Sequence, residues 1–598
     1  MAHESFEDEE TARYLNEHFI SIKVDKEERP DIDSIYMSVC QAFTGSGGWP
    51  MSIFMTPDQK PFFAGTYFPK KSSYGMRTFL EILTAIQESW TKNRKRLFES
   101  AEEVVSILSQ STRRTGDHSV DSTRLFDNAK EWFESSFDAR NGGFGGAPKF
   151  PIPHNLWFLL MEYEQSKEQN RLKMVEKTLI QMYRGGLFDH IGFGFSRYST
   201  DSYFLAPHFE KMLYDNALLI LVYSKAYAIT GKAIYCDIAQ KAADFILREM
   251  TDEEGGFYCA QDADVEGEEG KYYLFTPDEI EQLLGEQEGK RFNQYYDITQ
   301  QGNFEGKNIP NLLKSTDYGQ DFSKSRVEVY EYRKNRYRLH LDDKILTSWN
   351  GLMIGALCYL YRVSRDSKYI EAARKAQHFL EVYLFEETTC YVSYREGRNQ
   401  TKGFLEDYAN GIFALLCLYE ATLETTYMER ARSICQKVIE DFWDEQAGGF
   451  FLYGDEHETL ILRPKETYDG AMPSGNSMMA YNLVVLNLLM EDTKLREMKN
   501  RQLEFMTVEA RRDSSNYTMF LIALLMEENP PEKIVVVPKE GMAERLRKEL
   551  PLKVSWNSIV CVLQGEEEGY RMKHGETTYY ICKGHTCLKG TNTLEVEE

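Results

Sequence analysis

Positive charge is in short supply: 70 Lys and Arg stand against 94 Asp and Glu, a formal net charge of −24. Such a surface repels a phosphate backbone or an anionic membrane, so neither is expected as a partner. Long apolar runs are missing as well; none approaches the ~20 residues that cross a bilayer. The ten cysteines are scattered singly except for Cys582 and Cys587, which is not a disulfide framework. The opening MAHESFEDEE is acidic and polar, unlike a secretory signal, and a cytoplasmic location is the natural expectation. Aromatic rings, by contrast, are plentiful, with 37 Tyr and 35 Phe. Flat rings with a polar edge suit sugar or small-molecule contact as well as core packing. A chain of 598 residues also exceeds the ~250–300 at which single cores stop growing, so several domains are expected.

An internal repeat organises the middle of the chain. Segments beginning near Asp215, Trp349 and Ala409 read alike. Each opens on Asn, runs through an almost wholly apolar helix, turns, and continues through a helix with one apolar stripe to an aromatic. Asn216 to Phe257 and Asn350 to Tyr391 both span 41 residues; Asn410 to Phe450 spans 40. Weaker copies open at Asn155, Asn476 and Asn516. The one-striped helices are expected at 122–138, 168–184, 232–251, 367–385, 427–444 and roughly 494–510. A helix apolar all round must be buried, and a striped one lies outside. Six of each, alternating over 122–528, predict two concentric layers closed into an (α/α)6 toroid, mainly α overall.

The two ends of that ring differ. Turns leaving the apolar helices are short, whereas connections entering them are long and carry Gly-Gly-aromatic elements at 142–144, 185–187, 255–257 and 448–450. Those loops gather at helix N-termini, where free N–H groups point inward, and long loops on a rigid scaffold are where function usually resides.

The flanks have another rhythm. Residues 1–110 read as helix, strand (FISIKVD), helix, a hairpin about Asp58 and one long closing helix, an α/β arrangement followed by a linker at 111–121. Residues 529–598 read as a small α/β unit. There Cys582 and Cys587 flank His585, a weak zinc spacing without two further ligands; an ordinary strand and turn is the expectation, and no metal or cofactor is implied.

Candidate chemistry collects on the loop rim. His190 and His208 can serve as opposed acid and base, with Arg197, Tyr198, Glu210 and Asp215 nearby in sequence; the alternative is a cap and a packed loop residue. Asp262, Asp264 and Glu266 alternate onto one face of an extended segment as paired carboxylates for glycoside hydrolysis, for cation binding, or as a solvated turn. Asp343 and Lys344 precede Trp349 and Asn350, and Trp349 is either a sugar platform or a core residue. Glu406 and Asp407 open the fourth apolar helix; Asp469 and Ser474 precede the fifth and Asn476 opens it, with Ser474 either a site residue or a plain helix cap.

The segments MAHESFEDEE, IKVDKEERPDID, TGSGGWPMSIFMTPDQKPFFAGTYFP, GGFGGAPKFP, PHFEKMLYDNA, QDADVEGEEGKYYLF, DDKILTSWNGLM, FLEDYANG and DGAMPSGNS closely resemble the thioredoxin-like family that includes spermatogenesis-associated protein 20. The resemblance covers nearly the whole chain. It implies a thioredoxin-like domain ahead of a ring like that of six-hairpin glycosidases and N-acylglucosamine 2-epimerases. In the family a first strand and a Cys-x-x-Cys motif precede the MAHESF segment. The expectation is therefore a thioredoxin-like domain that is incomplete here, through truncation or a misassigned start, with Cys40 left without a sequence-near partner. The resemblance also matches Trp49-Pro50 to the cis-proline position of thioredoxin folds.

These readings converge on a carbohydrate-directed enzyme or enzyme-like protein acting in the ring pocket on a small, sugar-like ligand. Sugar epimerase or isomerase and glycoside hydrolase are the two candidate activities. The catalytic candidates are His190 and His208, assisted by Asp262 or Asp407. A thiol-redox or chaperone-like protein in the full-length form is the reading from another class, and a non-catalytic binding scaffold is the third. The sequence leaves the oligomeric state open.

Overall fold

The computed structural model describes residues 5–72, 76–112, 122–315, 320–490, 492–584 and 586–594. Beyond Thr112 the expected linker lies outside the described residues, as does His585. The chain forms two compact units, residues 1–117 with 441–466, and residues 118–440 with 467–598.

In the first unit, α1 (Glu9–His18) starts at Asp8, whose carboxylate accepts the Thr11 N–H. Helix α2 (Pro30–Thr44) has Pro at its first turn and ends on left-handed Gly45. Strands Ser52–Met55 and Pro61–Gly65 pair antiparallel as the expected hairpin. The single closing helix is in fact two, α3 (Phe79–Lys92) and α4 (Arg94–Thr112). They break at Asn93, a poor helix former that leaves helical space at φ −132°. The strand expected at 19–25 is also absent: no described strand pairs with it, and Ile20 and Ile22 are 93% and 79% exposed. Ile35, Val39 and Cys40 form a core to which Leu460, Ile461 and Leu462 of the 441–466 segment contribute. The Trp49-Pro50 peptide is cis.

The second unit is a mainly α, (α/α)6 toroid. Its helices are α5 (Ser122–Ser136), α6 (Pro153–Ser166), α7 (Gln169–Arg184), α8 (Leu213–Thr230) and α9 (Ala233–Glu249). An insertion, α10 (Pro277–Leu284), α11 (Glu286–Tyr295) and α12 (Ser323–Arg336), precedes α13 (Thr347–Ser364) and α14 (Ser367–Phe379). Then come α15 (Leu405–Thr422), α16 (Thr425–Phe442), α17 (Gly475–Leu489), α18 (Thr493–Ala510) and α19 (Thr518–Glu528). Contacts run α6–α8–α13–α15–α17–α19 and back to α6, which closes the inner layer. Inner α8 is buried from Leu213 through Ala226 without a break, whereas outer α9 buries one stripe that includes Tyr235, Ile238, Ala242 and Ile246.

The residues that open the inner helices stitch that layer together. Asp407 accepts N–H bonds from Phe404 at the head of α15 and from Ser348 at the head of α13. Asp469 does the same for Ser474 and Met519, joining the heads of α17 and α19. Asn155 accepts from the Thr518 hydroxyl, and Asn410 donates to Ser348. Each bond satisfies an N–H or hydroxyl that helix geometry and burial would otherwise strand.

Outer helices hand the chain inward through a repeated tight loop. Phe137 bridges Phe144, Phe188 bridges Phe195, and Thr251 bridges Phe257. An aspartate opens each loop, its N–H donating to Gly143, Gly194 or Gly256 as Asp138, Asp189 or Asp252 respectively. The same loop recurs from Trp443 to Phe450, opened by Asp444. The sequence reading assigned the second copy to Gly185-Gly186-Leu187; it runs from Asp189 to Phe195 instead. Gly185 has another constraint, because a Cβ there would sit 1.9 Å from the Phe204 carbonyl oxygen.

Residues 529–598 belong to the same compact unit as the ring. Strand Lys533–Val537 lies between parallel Ile559–Val562 and antiparallel Thr578–Lys583, with α20 (Ala543–Glu549) between the first two. Tyr419 of α15 donates to the Val560 carbonyl at 2.9 Å. Cys582 and Cys587, expected as a plain strand and turn, face each other across that hairpin in a disulfide.

Candidate active site at the inner-helix N-termini

One sequence-predicted cluster assembles where α8 and α13 begin. Tyr198 and His208 pair across a short antiparallel ribbon, and Phe150 stacks on Tyr198 with ring centres 4.5 Å apart. His208 lies between two carboxylates, with Nδ1 2.5 Å from Glu269 and Nε2 3.5 Å from Glu210. Bonds to Glu210 and Glu269 raise its pKa to about 9, so the ring is cationic at neutral pH. Arg197 reaches Glu210 from the other side at 3.2 Å. Glu210 is thus a carboxylate flanked by two cations.

Asp215, in the first turn of α8, completes the cluster. It is buried, and its Oδ2 has no hydrogen-bond partner among the described residues. Burial raises its pKa well above the usual range; nearby Arg197 opposes the rise and Glu210 adds to it. Asp215 is therefore a buried carboxyl whose pKa burial displaces upward, with Oδ2 free. Beside it, Tyr214 meets Trp349 of α13 edge to face at 4.9 Å. The arrangement places a buried carboxyl with a raised pKa, a charge-paired carboxylate and ring surfaces together. Those are the parts of acid–base chemistry on a polyhydroxylated ring.

The structure distributes the remaining predicted residues elsewhere. His190 is 4% exposed, its Nε2 lies 3.2 Å from the Gly185 carbonyl, and its ring packs on Tyr183, Phe188 and Tyr296. Burial lowers its pKa to about 4. Among the described residues no contact joins it to His208. Asp262 and Asp264 are exposed on one face, and Asp262 accepts the Asp264 N–H. Asp343 pairs with Arg395 at 2.7 Å, and buried Lys344 pairs with Asp342 at 3.3 Å. Glu406 is half-buried ahead of Asp407.

Asp407 and Asp469 are the helix-head stitches described above, with burial raising their pKa values to about 7 and about 6. Asn350 spends its amide on backbone, accepting from the Phe257 N–H and donating to the Phe257 and Leu346 carbonyls. Asn216 holds Phe195 and Met212 in the same way. Asn476 is buried and accepts from Gln502. The shared asparagines thus pin entry loops and neighbouring helices.

Glu269, Phe150 and Tyr214 were missed. Glu269 lies within the acidic run VEGEEG, whose composition hides the one carboxylate that folds back onto His208. Phe150 follows the Gly-Gly-aromatic loop, and Tyr214 carries the phase of an ordinary core residue. Buried His154, one position ahead of Asn155, was also missed; burial lowers its pKa to about 3 and keeps it neutral. Among the described residues no group of three His, Cys, Asp or Glu is placed to hold a metal ion. No described helix is long and apolar enough to cross a membrane.

Comparison with known proteins places the chain. A family model named Thioredox_DsbH, described as a protein of unknown function, DUF255, matches residues 1–109. Human spermatogenesis-associated protein 20 is 35% identical over 542 residues, 81% of this chain and 69% of that protein. An uncharacterized protein of Caenorhabditis elegans is 32% identical over 663 aligned positions, covering 100% of this chain and 90% of that one. Among solved structures, cellobiose 2-epimerase from Bacillus thermoamylovorans is similar at 12% identity and a TM-score of 0.42, over 64% of this chain and 85% of that one. At 35% identity over this length, the chain belongs to the spermatogenesis-associated protein 20 family.

Proposed function

We propose that the cluster at the heads of α8 and α13 is the working site of a carbohydrate-directed enzyme that moves protons on a sugar-like ligand. The observation that carries this reading is Asp215, a buried acid with a free oxygen beside a carboxylate flanked by Arg197 and His208. In the isomerase form, Glu210 takes the proton from the carbon next to the ligand carbonyl. Asp215 gives its proton to the carbonyl oxygen, leaving an enediol. Return of a proton to either face or to the neighbouring carbon completes the exchange. Tyr214 and Trp349, with Tyr198 and Phe150, offer ring surfaces for the apolar face of a sugar.

The test is a panel of aldoses and ketoses in heavy water, followed by NMR. Deuterium appearing at the carbon beside the carbonyl, and lost in Asp215→Asn and Glu210→Gln, supports the proposal. Released anomers from glycosides, lost in the same variants, would assign the pair to hydrolysis instead. Turnover that persists in both variants would overturn the site.

A further inference from the structure

Beside the rim cluster lies an open cavity that the proton chemistry above does not use. Its free space of about 240 Å³ takes a small ring, where a single water needs only about 10–15 Å³. Two tight turns wall it. In the first, Val265 pairs with Glu268 across Glu266 and Gly267, at φ 55° and 79°. In the second, Phe304 and Lys307 exchange both backbone hydrogen bonds, at 3.0 and 2.9 Å, across Glu305 and Gly306, at φ 48° and 78°. Two central residues at positive φ make each a type I′ hairpin tip.

Phe209, next to His208 in the chain, ties both turns to the rim. Its ring stacks on Tyr273 at 5.3 Å, meets Phe304 edge to face at 5.6 Å, and shares a buried cluster with Val265 and Leu274. Glu269 belongs to both places, since it lines the cavity and holds His208. The cavity therefore begins one side chain away from His208.

Phe304 and Leu274 supply the apolar wall. Among the charges, Lys271 is taken up by Glu266 and Glu268 at 2.9 and 3.0 Å, and Glu269 by His208. Glu305 and Lys307 remain, one of each sign and neither with an ion-pair partner among the described residues. A phosphate would face the carboxylates of Glu268, Glu269 and Glu305 across the same space. Hydroxyl groups suit it better, because each both donates and accepts a hydrogen bond. An aromatic face with a few placed polar groups is the usual lining of a small-molecule site.

We infer, resting on the sugar reading of the rim, that this cavity is a second sugar subsite and that the ligand is an uncharged disaccharide or longer glycan. The reacting unit lies at Glu210 and Asp215, and the next unit lies between the two turns with one face on Phe304.

The test is calorimetric titration of the full chain with glucose, mannose and galactose, with disaccharides carrying each of them at the reducing end, and with glucose 6-phosphate. Disaccharides should bind at least about tenfold tighter than the parent hexose. Phe304→Ala should erase most of that advantage. The double variant Glu305→Ala/Lys307→Ala leaves the packed rings alone and should cut the advantage about threefold, the order of one hydrogen bond. Hexose binding should change by less than about twofold in either variant. Equal affinity for disaccharide and hexose, or an advantage that both variants keep, would overturn the inference. So would glucose 6-phosphate binding tightest and losing that affinity in Lys307→Ala. Turnover is read separately. A disaccharide advantage lost in the variants, with no proton exchange or hydrolysis in the parent, would remove the rim chemistry and leave the subsite standing. Exchange that depends on Asp215 without any disaccharide advantage would do the opposite.

Discussion

Two buried aspartates lie 26 residues apart and are put to opposite uses. Asp189 receives both guanidinium nitrogens of Arg333 at 2.9 Å and the Lys211 ammonium at 2.9 Å, while its own Oδ1 accepts the Ile191 and Gly192 N–H groups. Burial alone would raise its pKa, but Arg333 and Lys211 outweigh that and hold it far below the usual range. Asp215 is just as deeply buried and has a cation nearby in Arg197, yet one oxygen has no partner and its pKa rises. Burial is common to both; the number of partners decides. A saturated carboxylate is a structural anchor, and an unsaturated one is displaced toward holding a proton.

Removing the anchor's charge should have the largest effect. Asp189→Asn leaves Arg333 and Lys211 buried against a neutral amide, and stranding a buried charge typically costs about 3–5 kcal/mol. Denaturant unfolding should show a loss of that order. A change below about 1 kcal/mol would mean that the triad does not hold the entry loop. Asp215→Asn should do the reverse. Its stability should stay within about 1 kcal/mol of the parent, since Oδ2 has no hydrogen bond to lose and the amide has a similar shape. Turnover of whatever ligand the panel identifies should fall by roughly 10²–10⁴, the usual contribution of a placed proton donor. A strongly destabilised but fully active Asp215→Asn would erase the distinction between the two residues.

The contrast also marks how far the sequence could be read. Alternation of all-apolar and one-striped helices made the toroid legible, because a 3.6-residue period records which face is buried. The rim cluster of Arg197, Tyr198, His208, Glu210 and Asp215 was legible as a group because it is local in sequence. What sequence could not show was who pairs with whom. Asp407, Asp469 and Asn350 have the residue types of a site and the partners of a scaffold, and those partners lie up to 93 residues away. The surroundings of His190 were hidden for the same reason: its neighbour Tyr296 comes from the insertion between α9 and α13, which no repeat announces. Strand 19–25 has the right composition, but pairing is a property of two segments.

The helix-head aspartates sharpen the comparison from a third position, saturated by N–H donors but by no cation. Asp407 keeps its proton up to about pH 7 when folded, whereas an unfolded aspartate releases it near pH 4. Between those values the folded state holds the extra proton. The contribution is therefore fully present below about pH 4 and is lost as pH rises through about 7, at roughly 1.4 kcal/mol for each pH unit crossed. Asp407→Asn should flatten this part of the stability–pH curve. An unchanged slope between pH 4 and 7 would show that the two N–H bonds fully offset burial.

The smallest expected effect belongs to His208, where the charge pairing is partly wetted. Its folded pKa of about 9 lies above the ordinary imidazole value, so its contribution is complete below about pH 6.5 and disappears as pH rises through 9. Glu269 is about half exposed, and solvent screening keeps such a pair to less than about 1 kcal/mol. His208→Gln should therefore remove a shallow alkaline decline without disturbing stability at pH 5 by more than that amount. The sharper readout is NMR titration of the imidazole. A midpoint near 9 that falls toward 6.5 in Glu269→Gln would show that Glu269 is a main source of the charge. A midpoint that stays in place in Glu269→Gln but falls in Glu210→Gln would transfer that role to the rim carboxylate, leaving Glu269 as a bystander.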